Sequence, residues 1–388
     1  LVDGDDYEFL GENFFMKILV FSPRSINCSR AGGAEIYLHE IIIRIKEHEF
    51  FVISSSDKRG GYQHLSYSEN LISVNEFLFP IFSLKYLKFV KDFDVIIENI
   101  SKFPIIWPLL LSKLLSKLFI VIVHHIHGRT LFRELPFPFA LLLYIYEVFS
   151  LKLYSLFGIF VITVSISTKR ELIKLGFPKH KILVIYPGYN PKLRIYCNTL
   201  KAKEPLIVYI GRVKKYKRLD HLIKAIEIVK QKAPNVKCVI AGKCDKDVYR
   251  KLRNLTKRFK LEANVIIKGE VSEEEKLRLL RKATIFVNPS MKEGFSIASL
   301  EAQACGIPVV GYEIPGLVDC VKNNVTGLLV PNGNYKALAK AILHLLLDEK
   351  LRSEMSKNAM IWASNFDWDL SAKKFLALLI RLIKKIVS

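Results

Sequence analysis

Two series of short apolar runs, each followed by a helix-length segment, constrain this chain more than any other feature. The first series is Met16 to Ser22, Phe50 to Ser54, Val95 to Glu98, Leu118 to Val123 and Phe160 to Val164. After the first run, Gly32-Gly33 leads into helical periodicity over Ala34 to Glu47, which completes one βαβ unit. The second series is Leu206 to Ile210, Val236 to Ala241, Val265 to Gly269, Ile285 to Asn288 and Pro308 to Tyr312, with a helix over Arg218 to Gln231. Apolar strands alternating with helices predict parallel, doubly wound sheets. At 388 residues the chain exceeds what one core usually supports. Two α/β Rossmann-like domains are therefore expected, over 16–190 and 200–370. The linker falls in Pro187 to Pro205, which carries three prolines and a glycine without a period. Residues 1–15 are acidic, lack a signal peptide's apolar stretch, and read as a tail outside the fold. The last helix, Ala372 to Val387 within 372–388, is basic and amphipathic. It is expected to fold back onto the first domain, with a place on a membrane surface as the competing reading.

The richest chemistry lies in Asn288-Pro-Ser-Met-Lys-Glu293-Gly294-Phe295-Ser296 and the apolar segment after it. The stretch reads as strand, loop, helix, strand. Ser296 is the candidate N-cap of a helix over Ile297 to Cys305, and Gly306 its stop. Gly294 permits close backbone approach, and the N–H groups at the helix start have no intrahelical acceptor, so the loop suits an anion. Glu293 and Glu301 flank it. Carboxylates do not hold phosphate, but they accept hydrogen bonds from sugar hydroxyls. Diphosphate on N–H groups beside hydroxyls on carboxylates suits a nucleotide-sugar. A solvated loop glutamate and a helix-surface glutamate are the plainer alternative for either residue taken alone.

Glu293 and Glu301, with seven residues between them, resemble the E-x7-E motif of the family 4 glycosyltransferases, which have the GT-B fold. Pro289-Ser290, Leu300-Glu301-Ala302 and Cys305-Gly306-Ile-Pro-Val-Val are similar to the same frame. So are Gly211-Arg212 with Lys217, Lys268-Gly269-Glu270-Val271, Gly32-Gly33-Ala34-Glu35 and Asn324-Val-Thr-Gly. The chain departs at Pro315-Gly316, where the family has a glycine pair, at Asp319, near a family glutamate, and at Glu47.

The resemblance implies a retaining transferase taking sugar from a UDP-, GDP- or ADP-linked donor to a glycan or lipid-linked acceptor. It implies two domains facing a cleft and no cofactor. Arg212 and Lys217 would clamp the donor diphosphate, where negative charge grows in the transition state. Glu301 would take the ribose, Glu293 the transferred sugar, and Val271 with the Glu270 backbone the base. Gly33, Gly294 and the N–H groups of Phe295 and Ser296 would line the donor. The family also places a histidine at a strand end beside the sugar. His124 matches best in Val121-Ile-Val-His124-His125-Ile-His127, with plain loop histidines as the alternative.

Metal is not expected. The histidine spacing offers no clean ligand set, and Asp92-Phe-Asp94, Asp245-Lys-Asp247 and Asp367-Trp-Asp369 do not directly follow long apolar strands. The six cysteines form no C-x-x-C pair and read neither as a zinc site nor as a disulfide framework, so a reducing cytoplasmic compartment is expected. The formal charge of +22 favours anionic partners, or marks a lysine-rich surface. Nucleic acid is not expected, for no zinc-finger spacing, aromatic RNA-binding signature or helix-turn-helix is present.

A peripheral place on an anionic membrane, at its inner face, and ordinary helix packing both remain open for two stretches. In Ile105 to Phe119, Ser112, Lys113, Ser116 and Lys117 share one helical face of an apolar segment. Leu135 to Ser167 is interrupted by Glu147 and Lys152, so it is not expected to cross a membrane. A glycoside hydrolase would need its carboxylates about 5–10 Å apart across the bond. Eight residues of helix would set them about 12 Å apart on one side of the ligand. A silent binder of nucleotide-sugar is a further alternative.

Overall fold

The computed structural model describes residues 15–56, 60–64, 66–193 and 205–387. The first sheet holds β1 (Lys17–Ser22), β2 (Glu49–Ser55), β3 (Gly60–Gln63), β4 (Tyr67–Ile72), β5 (Val95–Asn99), β6 (Leu118–Val123), β7 (Phe160–Thr163) and β8 (Ile182–Val184). Their order is β3-β4-β2-β1-β5-β6-β7-β8, parallel except for the β3–β4 pair. The second sheet is all parallel. It holds β9 (Leu206–Ile210), β10 (Lys237–Ala241), β11 (Val265–Gly269), β12 (Ile285–Asn288), β13 (Val309–Tyr312) and β14 (Gly327–Val330), in the order β11-β10-β9-β12-β13-β14.

Both faces of each sheet are covered. In β1, Ile18 and Val20 enter one core while Leu19 and Phe21 enter another, and all four are fully buried. This is why the strands read as unbroken apolar runs. The strand order reverses direction at β1–β5 and at β9–β12. Ligands of open α/β sheets bind at such switch points, outside the carboxyl ends of the strands.

The helix Trp368–Val387 returns to the first domain, starting four residues before the expected 372. It packs on the helix Gly33–Ile42. Arg44 Nε meets Asp369 Oδ1 at 2.7 Å, and the Trp368 ring lies edge-on to Tyr37 at 5.9 Å. Gly188 sits under the crossing, where a Cβ would lie 2.4 Å from Trp368 N.

Several expectations need correction. The helix after Gly32 ends at Ile42, not Glu47, because the chain must turn to enter β2 at Glu49. The helix expected from Arg218 begins at Leu219, with Arg218 in a left-handed conformation (φ 49°) before it. Within Ile105 to Phe119 the helix stops at Leu114. Ser116 is left-handed (φ 53°), Phe119 is a buried residue of β6, and Ser112 is buried, donating to the Pro108 carbonyl at 2.6 Å. The Ser–Lys helical face therefore does not exist. Strands β3, β4, β8 and β14 were not expected. Tyr67-Ser-Glu-Asn-Leu-Ile is too polar to read as a strand, yet Glu69 is buried there and accepts from Ser25 Oγ at 2.9 Å. Cys305 is disulfide-bonded, which the reading of the cysteines did not expect, while Cys238, Cys244 and Cys320 are free thiols. The tail over 1–14 and the linker over 194–204 lie outside the described residues.

The 20-residue helix Phe137–Leu156 is long and apolar enough to cross a membrane, but a third of that apolar window is buried in the fold. Its Glu147 is 2% exposed and accepts from the backbone N–H groups of His127 and Gly128 at 2.7 and 2.8 Å. That face is committed to the domain.

Candidate active site

The second sheet's switch point is held by one hydrogen-bonded knot. Asn288 closes β12, and its Nδ2 donates to Glu293 Oε1 at 3.2 Å and to Ser296 Oγ at 2.9 Å. Its Oδ1 accepts from the Ser290 hydroxyl at 2.6 Å. Ser290 Oγ also lies 2.7 Å from Glu293 Oε1, so its one proton serves either acceptor in turn. Lys217, from the turn after β9, closes the knot with Nζ 2.6 Å from Glu293 Oε1. Burial would push the Lys217 ammonium down, but Glu293, Tyr216 and Tyr209 hold it well above the ordinary lysine value. Lys217 is thus a charged group fixed at the crevice.

Ser296 occupies the N-cap position of the helix Ile297–Ala304, but its side chain does not cap it. Its backbone is left-handed (φ 83°), and the hydroxyl turns to Asn288 and to Ser299 Oγ at 2.8 Å. The helix start is therefore left to a ligand or to water. Phe295 is buried against Tyr186 and Phe366, so only its backbone can serve a ligand. Glu301 lies inside the helix and accepts from Lys276 Nζ at 2.9 Å. Burial pushes the Glu301 carboxyl up, against the pull of Lys276.

The first domain meets this loop directly. A Cβ on Gly294 would lie 2.6 Å from the His124 carbonyl oxygen, so the two backbones touch across the cleft. Gly33, the first residue of its helix, faces Ile297, the first residue of the opposing helix, with an added Cβ 3.8 Å from Ile297 Cδ1. Two helix N-termini converge there, and their dipoles favour an anion between them. Arg212 lies beside Gly32, whose added Cβ would sit 3.1 Å from Cζ, and its Nη1 donates to the Arg30 carbonyl at 3.4 Å. The departure at Pro315 costs the loop nothing, because Glu293 N–H donates to the Pro315 carbonyl, which proline keeps.

His124 is buried at the end of β6, with Nε2 2.6 Å from Asn99 Oδ1. Burial, helped by Arg24, holds its pKa down at about 3, so it is neutral. Asn99 closes β5 and also donates to Ser22 Oγ at the end of β1, at 3.2 Å. His127 pairs with Glu147, and the His125 and His127 rings lie tilted to each other with centroids 4.4 Å apart. Among the described residues, no three His, Cys, Asp or Glu side chains could hold a metal ion together. Val271 is half-buried against the core, next to Glu270. A cavity of about 670 Å³ opens beside Glu270 and Gly269, lined also by Lys243, Tyr249 and Arg253.

The cleft is latched twice more. Lys292 Nζ meets both oxygens of Glu171 at 2.8 and 2.9 Å. Asp319 accepts from the Ile166 and Ser167 N–H groups at 3.0 and 3.2 Å, at the N-terminus of the helix Ile166–Lys174. Reading the sequence gave no role to Asn99, Asn288, Ser290, Lys276 or either latch. A polar residue closing an apolar strand beside a switch point was the available signal for Asn99 and Asn288.

A family profile described as Glycosyltransferase Family 4 matches residues 31–193, and one described as Glycosyl transferases group 1 matches 197–362. An uncharacterized glycosyltransferase of Methanocaldococcus jannaschii is 31% identical over 228 residues, covering 55% of this chain and 58% of that protein. An N,N'-diacetylbacillosaminyl-diphospho-undecaprenol alpha-1,3-N-acetylgalactosaminyltransferase of Campylobacter jejuni is 31% identical over 212 residues, covering 55% and 54%. The chain spans about half the length of the curated relatives it matches. Among solved structures, Anabaena HepE in complex with UDP and glucose superposes with TM-score 0.74 at 19% identity, covering 94% of this chain and 100% of that one. Sucrose-phosphate synthase of Thermosynechococcus elongatus gives TM-score 0.79 at 20% identity, covering 95% and 100%. At such identity the likeness speaks for the fold, two α/β domains in the GT-B arrangement.

Proposed function

The chain belongs to the family 4 glycosyltransferases, and on that premise we propose that it moves a sugar from a nucleoside-diphosphate donor to an acceptor hydroxyl, with retention and without a metal. The observation that carries this reading is the meeting of Lys217, Glu293 and two helix N-termini at one switch point. Arg212, Lys217 and the helix N–H groups receive the leaving diphosphate. They are fixed before reaction, so they stabilise developing charge without reorganising. Glu293 and Glu301 take hydroxyls of the transferred sugar and the ribose. Val271 and the Glu270 backbone border the base. Neutral His124 lines the sugar side, with Asn99 fixing its ring. Glu293 is tied through Oε1 to Lys217, Asn288 and Ser290, and this reading gives it a sugar hydroxyl and not the anomeric carbon. Retention then follows from front-face displacement, in which the departing phosphate oxygen takes the acceptor's proton on the face it leaves.

Thermal shift with UDP, GDP and ADP in EDTA tests the donor reading. A ligand at about 100 times its Kd adds about 2.7 kcal/mol. One nucleotide is expected to stabilise wild type and not Arg212→Ala. Stabilisation of neither protein by any nucleotide, or activity lost in EDTA and restored by a divalent metal, overturns the corresponding part.

The protein works at the cytoplasmic face of a membrane in this reading. Leu142, Ile145, Phe149 and Leu156 recur at helical spacing on the outer side of the helix Phe137–Leu156 and are 64, 56, 56 and 82% exposed. An apolar stripe on a strongly basic chain suits an anionic bilayer. Co-sedimentation with phosphatidylglycerol vesicles at low salt is expected, and is lost in Leu142→Ser/Phe149→Ser.

A further inference from the structure

The cavity of about 670 Å³ beside Glu270 is walled on one side by the helix Lys246–Arg258. Five cations line it: Lys243, Lys246, Arg250, Arg253 and Lys257. Four of them recur along the helix at steps of four, three and four residues, a stripe about 16 Å long. Val248 and Leu252 are buried in the core on another face of the same helix, so the stripe cannot turn away from the cavity. Tyr249 and Asn254 stand between the cations and add neutral donors.

The stripe is short of anions. Among the described residues, Glu270 is the one carboxylate that lines the cavity. Asp245 and Asp247 flank Lys246 outside the lining. Asp247 reaches Arg250 only at 3.8 Å, with the two side chains 79 and 75% exposed, which makes a weak, screened pair. Among the described residues, Lys246, Arg253 and Lys257 have no carboxylate within ion-pair distance. Lys246 with Arg250, Arg250 with Arg253, and Arg253 with Lys257 are like charges at helical neighbour spacing, and each pair works against the helix. A multiply charged anion laid along the stripe removes that repulsion.

The donor diphosphate does not fill this cavity. In the order β11-β10-β9-β12 the cavity lies at the β10–β11 ends, two strand spacings or about 10 Å from the β9–β12 switch point and its Lys217–Glu293 pair. The Glu270 backbone borders the base in the proposed reaction, but a base is uncharged and leaves the cations unmatched. One lining residue does reach the cleft. Lys243 Nζ donates to the Ser29 carbonyl of the first domain at 2.7 Å. Ser29 belongs to the loop that runs from β1 to Gly33, where the two helix N-termini converge.

We propose that this cavity is an effector site for a short chain of phosphate groups, held by Lys246, Arg250, Arg253 and Lys257, and that the bound anion loosens the closed cleft by drawing Lys243 away from Ser29. Arginine forks take phosphate oxygens in pairs. A chain of phosphates carries charge at every link, so it meets several cations at once where a single phosphate meets one or two. The site itself stands apart from the transferase reading; its effect on the donor nucleotide rests on that reading.

Tripolyphosphate and inorganic phosphate are the probes. Each is titrated by calorimetry into full-length protein saturated with the nucleotide that stabilises it, so that the Lys217 knot is filled. Tripolyphosphate is expected to bind at least about tenfold tighter than phosphate, and Arg250→Gln/Arg253→Gln/Lys257→Gln to lose at least about tenfold of that binding while keeping its nucleotide affinity. Lys336→Gln/Lys340→Gln/Lys350→Gln removes the same charge from an exposed face elsewhere and is expected to bind tripolyphosphate as wild type does. Equal losses in the two variants, or no binding by wild type, overturn the site, since only general attraction to a basic surface is then left. The second arm titrates nucleotide with and without tripolyphosphate. The anion is expected to weaken nucleotide binding severalfold in wild type, and nucleotide to weaken the anion by the same factor. Lys243→Ala is expected to bind both and to lose the coupling. Weakening that persists in the Arg250 variant is competition at the Lys217 knot and overturns the coupling. If wild type binds no nucleotide, the transferase reading falls, and tripolyphosphate titrated into the free protein and the two variants still decides the site.

Discussion

Lys217 Nζ lies 2.6 Å from Glu293 Oε1, so the cation we propose for the donor diphosphate and the carboxylate we propose for the sugar hold each other in the free protein. Their side chains are only 12 and 11% exposed. In the proposed reaction a nucleotide-sugar would satisfy both ions at once, replacing part of the pair without leaving a bare charge.

Lys217→Met should therefore harm the protein twice. It removes a preorganised donor to the leaving group, worth about 10²–10³ in kcat. It also strands Glu293, at about 3–5 kcal/mol. Lys217→Met/Glu293→Gln should recover most of the stability and none of the activity. Urea unfolding beside initial rates checks this, and a double variant no more stable than the single one refutes it.

Glu98 gives a pH signature in stability. It is fully buried at the end of β5, and burial pushes its carboxyl up to about 8, although Tyr154 and the Ile105 N–H donate to it at 2.6 Å each. The folded protein therefore binds a proton between about pH 4.5 and 8 that the unfolded chain has released. By linkage, this group's contribution to stability is full below pH 4.5 and falls by up to about 1.4 kcal/mol per unit up to pH 8. Glu98→Gln should flatten that fall and stabilise the protein most at pH 8. Tyr154 OH already reaches the Ile105 carbonyl at 3.2 Å, so it can turn there and accept from the new amide. Melting curves from pH 5 to 8.5 check it.

His124 runs the other way. Held neutral with a pKa of about 3, it adds no step to the rate profile between pH 5 and 8. Asn99→Asp would put a carboxylate against Nε2 in place of the amide oxygen now 2.6 Å away. It should raise the histidine into the measurable range, seen by NMR, and lower kcat as the ring gains charge beside the donor. An unmoved resonance would mean that Asn99 does not govern the ring.

The strands at both switch points were legible in the sequence because both faces of these sheets are buried and the runs are unbroken. Glu293, Glu301, Arg212 and Lys217 could be proposed from the sequence because they stand in a dense local frame, and the structure brings Lys217 to Glu293. Asn99 and His124 lie 25 positions apart, and the Asp319–Ser167 contact spans 152. No local period reports contacts of that kind. Strand β4 was missed for the opposite reason. Its buried Glu69 reads as surface until Ser25 is brought to it from the end of β1.

Asp319 acts as a cap supplied by one domain to a helix of the other. Its carboxylate meets the positive end of Ile166–Lys174, an interaction worth about 0.3–1 kcal/mol near a surface. Asp319→Ala should shift the protein toward an open cleft. The donor KM should rise severalfold, and the radius of gyration from solution scattering should grow in the free protein and shrink on adding nucleotide. An unchanged radius would make the contact incidental.

Gly294→Ala separates the cleft from the donor site. The added Cβ would lie 2.6 Å from the His124 carbonyl oxygen, and backbone on the far side cannot swing away as a side-chain end could. Either the loop retreats or the domains part, and both move Glu293 away from His124. A misplacement near 1 Å can cost about 10²-fold in rate. Nucleotide affinity should fall less than the rate, because Arg212 and Glu301 keep their own supports while the Phe295 and Ser296 N–H groups shift with the loop. Gly188→Ala supplies the contrast. Its Cβ would lie 2.4 Å from Trp368 N, at the crossing of the final helix and away from the chemistry. That variant should lose stability in urea and keep kcat in the fraction that folds. If instead Gly294→Ala turns over normally, the backbone contact between the domains belongs to packing and not to the reaction.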